Sequence, residues 1–170
     1  GCNLIHVPTT LLASVDSCLG GKTAINFNKT INAIGSYYHP EKILIDTGLI
    51  KHLPDREISS GMAEVIKCSI IGNPELSALL RDIEFKEILS DPIIKNIVKL
   101  SLKQKEKFVM GDIREDNKRL FLNLGHTIGH ALEINTIIDG IEMLRHGEGV
   151  SLGIVAIANI SNKLGMLERA

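Results

Sequence analysis

Two patterns of apolar residues divide the chain. Up to about residue 54 the apolar positions form short runs closed by turn residues. Leu4 to Val7 stops at Pro8-Thr9-Thr10, Thr23 to Phe27 alternates after the Gly20-Gly21 pair, and Lys42-Ile43-Leu44-Ile45-Asp46 has the character of a short buried strand. From Asp55 onward the apolar residues recur every three or four positions, first in Ile58, Met62, Val65, Ile66 and Ile70, then in Ile93, Ile94, Ile97, Val98, Leu100 and Leu102. That spacing predicts helices. Asn73-Pro74-Glu75 and Asp91-Pro92 each place an N-cap type residue before a proline at the first helical position, and Gly111-Asp112 reads as a stop. The run Leu120 to His130 also reads as helix. The switch near residue 54 is the candidate domain boundary, separating an α/β remnant over 1–54 from a mainly α-helical domain over 55–170. Two or three strands are too few for a parallel sheet covered by helices, so the amino-terminal unit reads as incomplete.

Composition narrows the function classes. The 170 residues carry 19 basic and 20 acidic groups, a net charge of -1 that offers no field to gather nucleic acid or anionic lipid. Neither kind of partner is expected. No apolar stretch reaches the roughly 20 residues that span a bilayer, and a cytoplasmic location is the default expectation. Cys2, Cys18 and Cys68 are scattered and odd in number, which fits reduced structural thiols.

Candidate chemistry concentrates in Asn123-Leu124-Gly125-His126-Thr127-Ile128-Gly129-His130. Two imidazoles four residues apart share a helix face, which leaves metal ligation and hydrogen-bonded core histidines both open. Gly125 and Gly129 are costly in a helix at about 1 kcal/mol each relative to alanine, so a close approach by substrate or by another helix is expected there. His146, ahead of the apolar run Val150 to Ile160, falls at the mouth of the next helix and can face the pair. Glu64 and Lys67 lie three apart on a strongly apolar helix, where a charged pair needs a further partner such as a metal. Val15 to Thr23 lacks the first glycine of a P-loop, leaving an anion-binding turn with Asp16 and Lys22. Lys105, Arg119 and Asn123 make a further polar set near His126.

Taken together these runs resemble the 3-dehydroquinate synthase family of sugar-phosphate cyclases. The resemblance rests on Val7-Pro8-Thr9-Thr10-Leu11-Leu12-Ala13, Val15-Asp16-Ser17, Gly20-Gly21-Lys22-Thr23, Gly61-Met62-Ala63-Glu64-Val65-Ile66-Lys67, the 123–130 run and His146-Gly147-Glu148, in the family's order. It implies an NAD-binding α/β domain, a helical zinc domain and a site between them, with this chain a fragment lacking the upstream cofactor turn and the terminal substrate-binding segment. On that reading the isolated chain is expected to be inactive and the full-length parent a homodimer. The resemblance assigns zinc to Glu64, His126 and His146, although spacing alone would pair His126 with His130. It gives proton transfer to His130 and Glu115, a catalytic role to Lys67, and substrate contacts to Asp16, Lys22, Asn32, Lys105, Arg119 and Asn123. Thr9, Thr10 and Lys22 would touch NAD.

The implied reaction converts 3-deoxy-D-arabino-heptulosonate 7-phosphate to 3-dehydroquinate and phosphate in the shikimate pathway of aromatic amino acid biosynthesis. NAD would oxidise one hydroxyl transiently, making the adjacent C–H acidic enough for phosphate elimination. Three departures stand out. Ile31 occupies the position of a lysine that would reach NAD, with Lys29 two residues away; His52 stands where threonine is usual; and the segment between His130 and His146 is a few residues longer than typical. The rivals are another sugar-phosphate cyclase of inosose or valiolone type, a metal- and NAD-dependent polyol dehydrogenase, and an inactive zinc-binding module.

Overall fold

The computed structural model describes residues 2–27, 30–112, 115–138 and 141–168. Strands β1 (Ile5–His6) and β4 (Lys42–Ile43) fall within the two short amino-terminal runs read as strands, and they pair in parallel. Between them β2 (Lys22–Phe27) and β3 (Thr30–Tyr37) form an antiparallel ribbon with a register shift between Ile25 and Phe27. The ribbon exposes both faces, and β3 was not anticipated from the sequence. Strand β4 is shorter than its apolar run because Asp46 leaves it to cap the short helix α1 (Thr47–Ile50), its Oδ1 accepting from the Gly48 N–H at 2.8 Å.

Pro54 then leads into α2 (Asp55–Ile70). Asn73 caps α3 (Pro74–Arg81) by accepting from the Leu76 N–H at 3.0 Å, as its Asn-Pro signal predicted. The long α4 (Asp91–Met110) starts one residue earlier than expected, with Ser90 as its cap, and stops at Gly111. Leu120 to His130 is not one helix. Lys118–Asn123 is a 3-10 segment, Gly125 turns the chain at φ +80°, and α5 runs only from His126 to Asn135. Between α5 and His146 lie β5 (Ile137–Ile138) and β6 (Ile141–Glu142), paired antiparallel, after which α6 runs His146–Lys163.

One apolar cluster holds these elements together, joining Leu11, Val15 and Ile50 to Ile58, Val65 and Cys68 of α2, Leu76 of α3, and Ile94 and Ile97 of α4. Burying each such side chain contributes roughly 1.5–3 kcal/mol, which fixes α2 as the central helix against which the other site-bearing elements are placed. A π-helical segment, Ala13–Ser17, packs Ser14 and Val15 onto that core and turns Asp16 toward the site. No described helix is long and apolar enough to cross a membrane.

Candidate active site

Glycines decide how closely the three site helices meet. A Cβ at Gly147 would lie 1.9 Å from the Ser60 carbonyl oxygen of α2, and one at Gly153 would lie 1.9 Å from that of Gly125. A Cβ at Gly129 would come within 2.9 Å of the Gly149 backbone. Gly129 therefore answers to a neighbouring helix rather than to substrate, and α6 is drawn against both α2 and α5. The Gly147 N–H also donates to Ser60 Oγ at 3.1 Å, pinning the first turn of α6 to α2.

This packing brings Glu64 of α2, His126 of α5 and His146 of α6 together. Glu64 is fully buried; its Oε1 lies 3.6 Å from His126 Nε2 and 3.4 Å from His146 Nε2 and has no hydrogen-bond partner. Ligand bonds of about 2.0–2.2 Å around a tetrahedral zinc imply ligand–ligand edges of about 3.3–3.6 Å. The two separations fall in that range, and the three donor atoms lie within 4.8 Å of one another. A buried carboxylate oxygen facing two imidazole nitrogens at these separations is an arrangement that a bound cation would satisfy. The residues fit a divalent metal.

The imidazoles are held from behind. His126 Nδ1 lies 3.2 Å from the Leu124 carbonyl oxygen, and His146 Nδ1 lies 3.0 Å from Glu133 Oε1. His130 stands beside them, its ring 5.2 Å from that of His126 in an edge-on contact, and makes no hydrogen bond among the described residues. The shared helix face foreseen from the i, i+4 spacing is present, but it places only His126 against Glu64.

In front of this cluster opens a cavity of about 330 Å³. Lys67 and Lys105 line it with Asp16 between them: Lys105 Nζ lies 2.9 Å from Asp16 Oδ1 and donates to the Asp16 carbonyl oxygen at 2.5 Å, while Lys67 pairs with Glu64. On the opposite wall Lys22 pairs with Glu115, which accepts from Asn123 Nδ2 at 2.9 Å. Glu115 takes φ +64° and Asn32 takes φ +54°, backbone strain of the kind found at binding sites. Arg119 reaches the cavity wall but is almost fully buried, its Nη2 donating to the Gly20 carbonyl oxygen at 2.9 Å.

The charges are mutually dependent. Burial opposes ionisation of Asp16, but Lys105 and Lys67 outweigh it and hold the carboxyl well below its usual range. Burial likewise works against the Lys67 ammonium, and Asp16 and Glu64 more than compensate, lifting its pKa. For Glu64 burial and Asp16 push upward, yet His146, Lys67 and His126 together leave it lowered. Burial pushes His126 down, aided by Lys67, and pushes His130 down as well, so both imidazoles are neutral near pH 7. Burial also opposes charging of His146, but its contact with Glu133 and the nearby carboxylate of Glu64 raise it to about 10.

The cavity thus gathers Asp16, Lys22, Asn32, Lys67, Lys105, Glu115, Arg119, Asn123, His126, His130 and His146 from the sequence-derived set, with Glu64 behind them. Thr9 and Thr10 do not line it. Thr9 is exposed, and Thr10 Oγ1 accepts from the Ala13 N–H at 3.1 Å. Lys29 lies outside the described residues, as does the Ile31 side chain. Two contributors were missed. Glu133 shows its signal in sequence, sitting three residues after His130 and seven after His126 on the same face. Arg56 shows none; it grips Glu148 in two contacts, at 2.6 and 2.8 Å, across 92 positions of the chain.

Comparison with known proteins identifies the family. The model of the 3-dehydroquinate synthase carboxy-terminal domain matches residues 61–170, and that of the amino-terminal domain matches residues 1–60. A 3-dehydroquinate synthase of Lactococcus lactis subsp. cremoris is 42% identical over 168 residues, covering 98% of this chain and 46% of the relative. The chain spans about half the length of the curated relatives it matches. Among solved structures, a 2-deoxy-scyllo-inosose synthase superposes with TM-score 0.85 at 31% identity over 99% of this chain and 46% of the other. Another crystal of such a synthase, with carbaglucose-6-phosphate, NAD+ and Co2+, gives TM-score 0.82 at 30% identity over the same shares. With domain models spanning the whole chain and the buried Glu64 meeting two histidines in front of a lysine-lined cavity, this chain belongs to the 3-dehydroquinate synthase family.

Proposed function

We propose that this chain carries the metal and substrate site of a 3-dehydroquinate synthase, a carbon–oxygen lyase that turns 3-deoxy-D-arabino-heptulosonate 7-phosphate into 3-dehydroquinate and phosphate. The observation that supports this most is the convergence of Glu64, His126 and His146 beside the Lys67–Asp16–Lys105 array. Those three side chains would hold zinc or another divalent cation, which supplies Lewis-acid polarisation of substrate oxygens when bound. Thr9 and Thr10 do not line the cavity. NAD is proposed on the family resemblance and on the related cyclase crystallised with it, with Thr9, Thr10 and Lys22 as one edge of its site.

The side chains divide the remaining work. Lys67 and Lys105 present ammonium groups to the anionic parts of the sugar phosphate, with Asp16 between them to accept from a hydroxyl. Arg119 adds positive charge behind Gly20 and fixes the turn that precedes Lys22. Asn32 and Asn123 offer amides to hydroxyls or phosphate oxygens. His130, neutral and unbonded at the mouth of the metal cluster, is the group that moves a proton, with Glu115 on the facing wall as its counterpart. We place the division between cofactor and metal halves at residue 54 and expect the active form to be a homodimer.

The test is phosphate release and 3-dehydroquinate formation from the heptulosonate by the full-length parent, with NAD and zinc supplied. Glucose 6-phosphate, the natural counterpart of the carbaglucose ligand, is run in parallel. Turnover of glucose 6-phosphate alone would reassign the protein to an inosose-type cyclase. Net accumulation of NADH would reassign it to a dehydrogenase.

A further inference from the structure

The two histidines that face Glu64 are oriented by different means. For His126 the partner of Nδ1 is the Leu124 backbone carbonyl oxygen at 3.2 Å, which no substitution removes. For His146 it is a side chain, Glu133 Oε1 at 3.0 Å. We propose that Glu133 is a positioning residue, whose carboxylate holds the His146 imidazole with Nδ1–H turned away and Nε2 presented to Glu64 and a bound cation. The inference rests on the metal site proposed above.

Three features carry it. Glu133 and His146 sit on α5 and α6, which meet where glycines remove the side chains between them: a Cβ at Gly149 would lie 3.0 Å from Glu133 Oε1 and 3.2 Å from its Cγ. The carboxylate fills space that the crossing leaves open. Second, His146 Nε2 is already 3.4 Å from Glu64 Oε1, so holding Nδ1 also fixes which nitrogen reaches the metal. An imidazole with one nitrogen bonded to a carboxylate is set in one tautomer and made a stronger ligand by the other. Third, His146 is the first residue of α6 and is more exposed than His126, with side-chain exposures of 30% and 13%, so its ring has more room to turn if released.

The alternative role for Glu133 is direct ligation, since it also lies with His130 and His146 in a second group of donor atoms within 4.8 Å. Against it, the His146 nitrogen on that side is the one bonded to Glu133, so a cation there would have to displace the contact.

The experiment is zinc competition against a chromogenic chelator, with elemental analysis and circular dichroism, on the protein and its Glu133→Ala and Glu133→Gln variants. Glu133→Ala is expected to keep its fold and one zinc per chain at saturation while binding it about 10- to 100-fold more weakly. Glu133→Gln, whose amide oxygen can still accept from Nδ1–H, is expected to recover most of that loss. In the cobalt-loaded protein, the exchangeable ring N–H resonance of His146 should be sharp, broaden in Glu133→Ala and return in Glu133→Gln. Unchanged affinity in Glu133→Ala overturns the inference and leaves the metal site standing. A fall from two zinc ions per chain to one would make Glu133 a ligand instead, and failure of the parent protein to bind zinc removes the site and the inference together.

Discussion

Gly147→Ala is the substitution whose effect can be worked furthest from the structure. The added Cβ would stand 1.9 Å from the Ser60 carbonyl oxygen and 2.5 Å from its carbon, and both are backbone atoms of α2 that no rotamer change can move. Reaching even a tight 3.0 Å separation requires the first turn of α6 to retreat by about 1.1 Å, and it begins with His146. Metal–ligand distances hold to about 0.2 Å, so a shift several times larger breaks the spacing between His146 and Glu64. Overpacking of this kind costs about 1–3 kcal/mol, and each kcal/mol moves the midpoint of a chain this size by roughly 2–4 °C. We therefore predict a lower melting temperature together with a zinc affinity reduced by about tenfold or more. Thermal unfolding followed by circular dichroism reads the first, and chelator competition reads the second. Gly111→Ala is the control, because its Cβ would meet only the Lys107 carbonyl oxygen at 3.7 Å. Wild-type melting and wild-type zinc affinity in Gly147→Ala would show that α2 and α6 are not in this contact, and the geometric account of the site would fall with it.

Other substitutions separate the roles assigned above. In the full-length parent, His130→Ala is predicted to keep its metal while turnover drops by roughly 10²- to 10⁴-fold, the usual loss for a proton-transfer group; loss of zinc on the scale of His126→Ala would make it a ligand. Arg56→Ala removes the partner whose hydrogen bond holds the Glu148 carboxyl down at about 2 from its ordinary 4.5. A depressed carboxyl stabilises the fold above its unfolded value, so the gap in unfolding free energy between wild type and Arg56→Ala should be full above pH 4.5 and close as pH falls toward 2. A gap that stays constant across that window would refute the assignment. On the family resemblance, Ile31→Lys in the full-length parent should tighten NAD binding by about 10- to 100-fold, the equivalent of one charge-assisted contact; titration showing no gain would mean that Lys29 already fills the role or that the correspondence in this loop is wrong.

The helices were legible because each buries one face and is closed by local signals. Asn73 before Pro74 and Gly111 after Met110 act within one turn, and the apolar stripe of α2 repeats wherever it meets the core. β3 was not legible for the opposite reason. The ribbon it forms with β2 leaves Ile25, Phe27, Ile34 and Tyr37 exposed, so no buried face imposes an alternation on its sequence. The break at Gly125 was hidden too. A glycine inside an apolar run looks like a tolerated helix residue until its φ of +80° and the approach of Val150 and Ile154 are known.

Spacing and tertiary packing answered different questions at the site. The i, i+4 pair established that His126 and His130 share a face, and this holds; it could not say which of them meets a third group, because a shared face is several ångströms wide. That choice belongs to α2, a helix more than fifty residues away in sequence, which delivers Glu64 to the first turn of α5 and leaves His130 one turn beyond it. Arg119 illustrates the same limit. Its charge and its place before Asn123 mark it for an anion, yet its guanidinium donates to a carbonyl oxygen 99 positions earlier, so it shapes the Gly20–Gly21 turn as well as the cavity wall. A Cβ at Gly20 would lie 2.7 Å from that guanidinium, which ties the turn before Lys22 to the loop that carries Glu115. Lys22 and Glu115 then meet at the cavity as an ion pair, joining the amino-terminal ribbon to the helical part of the chain.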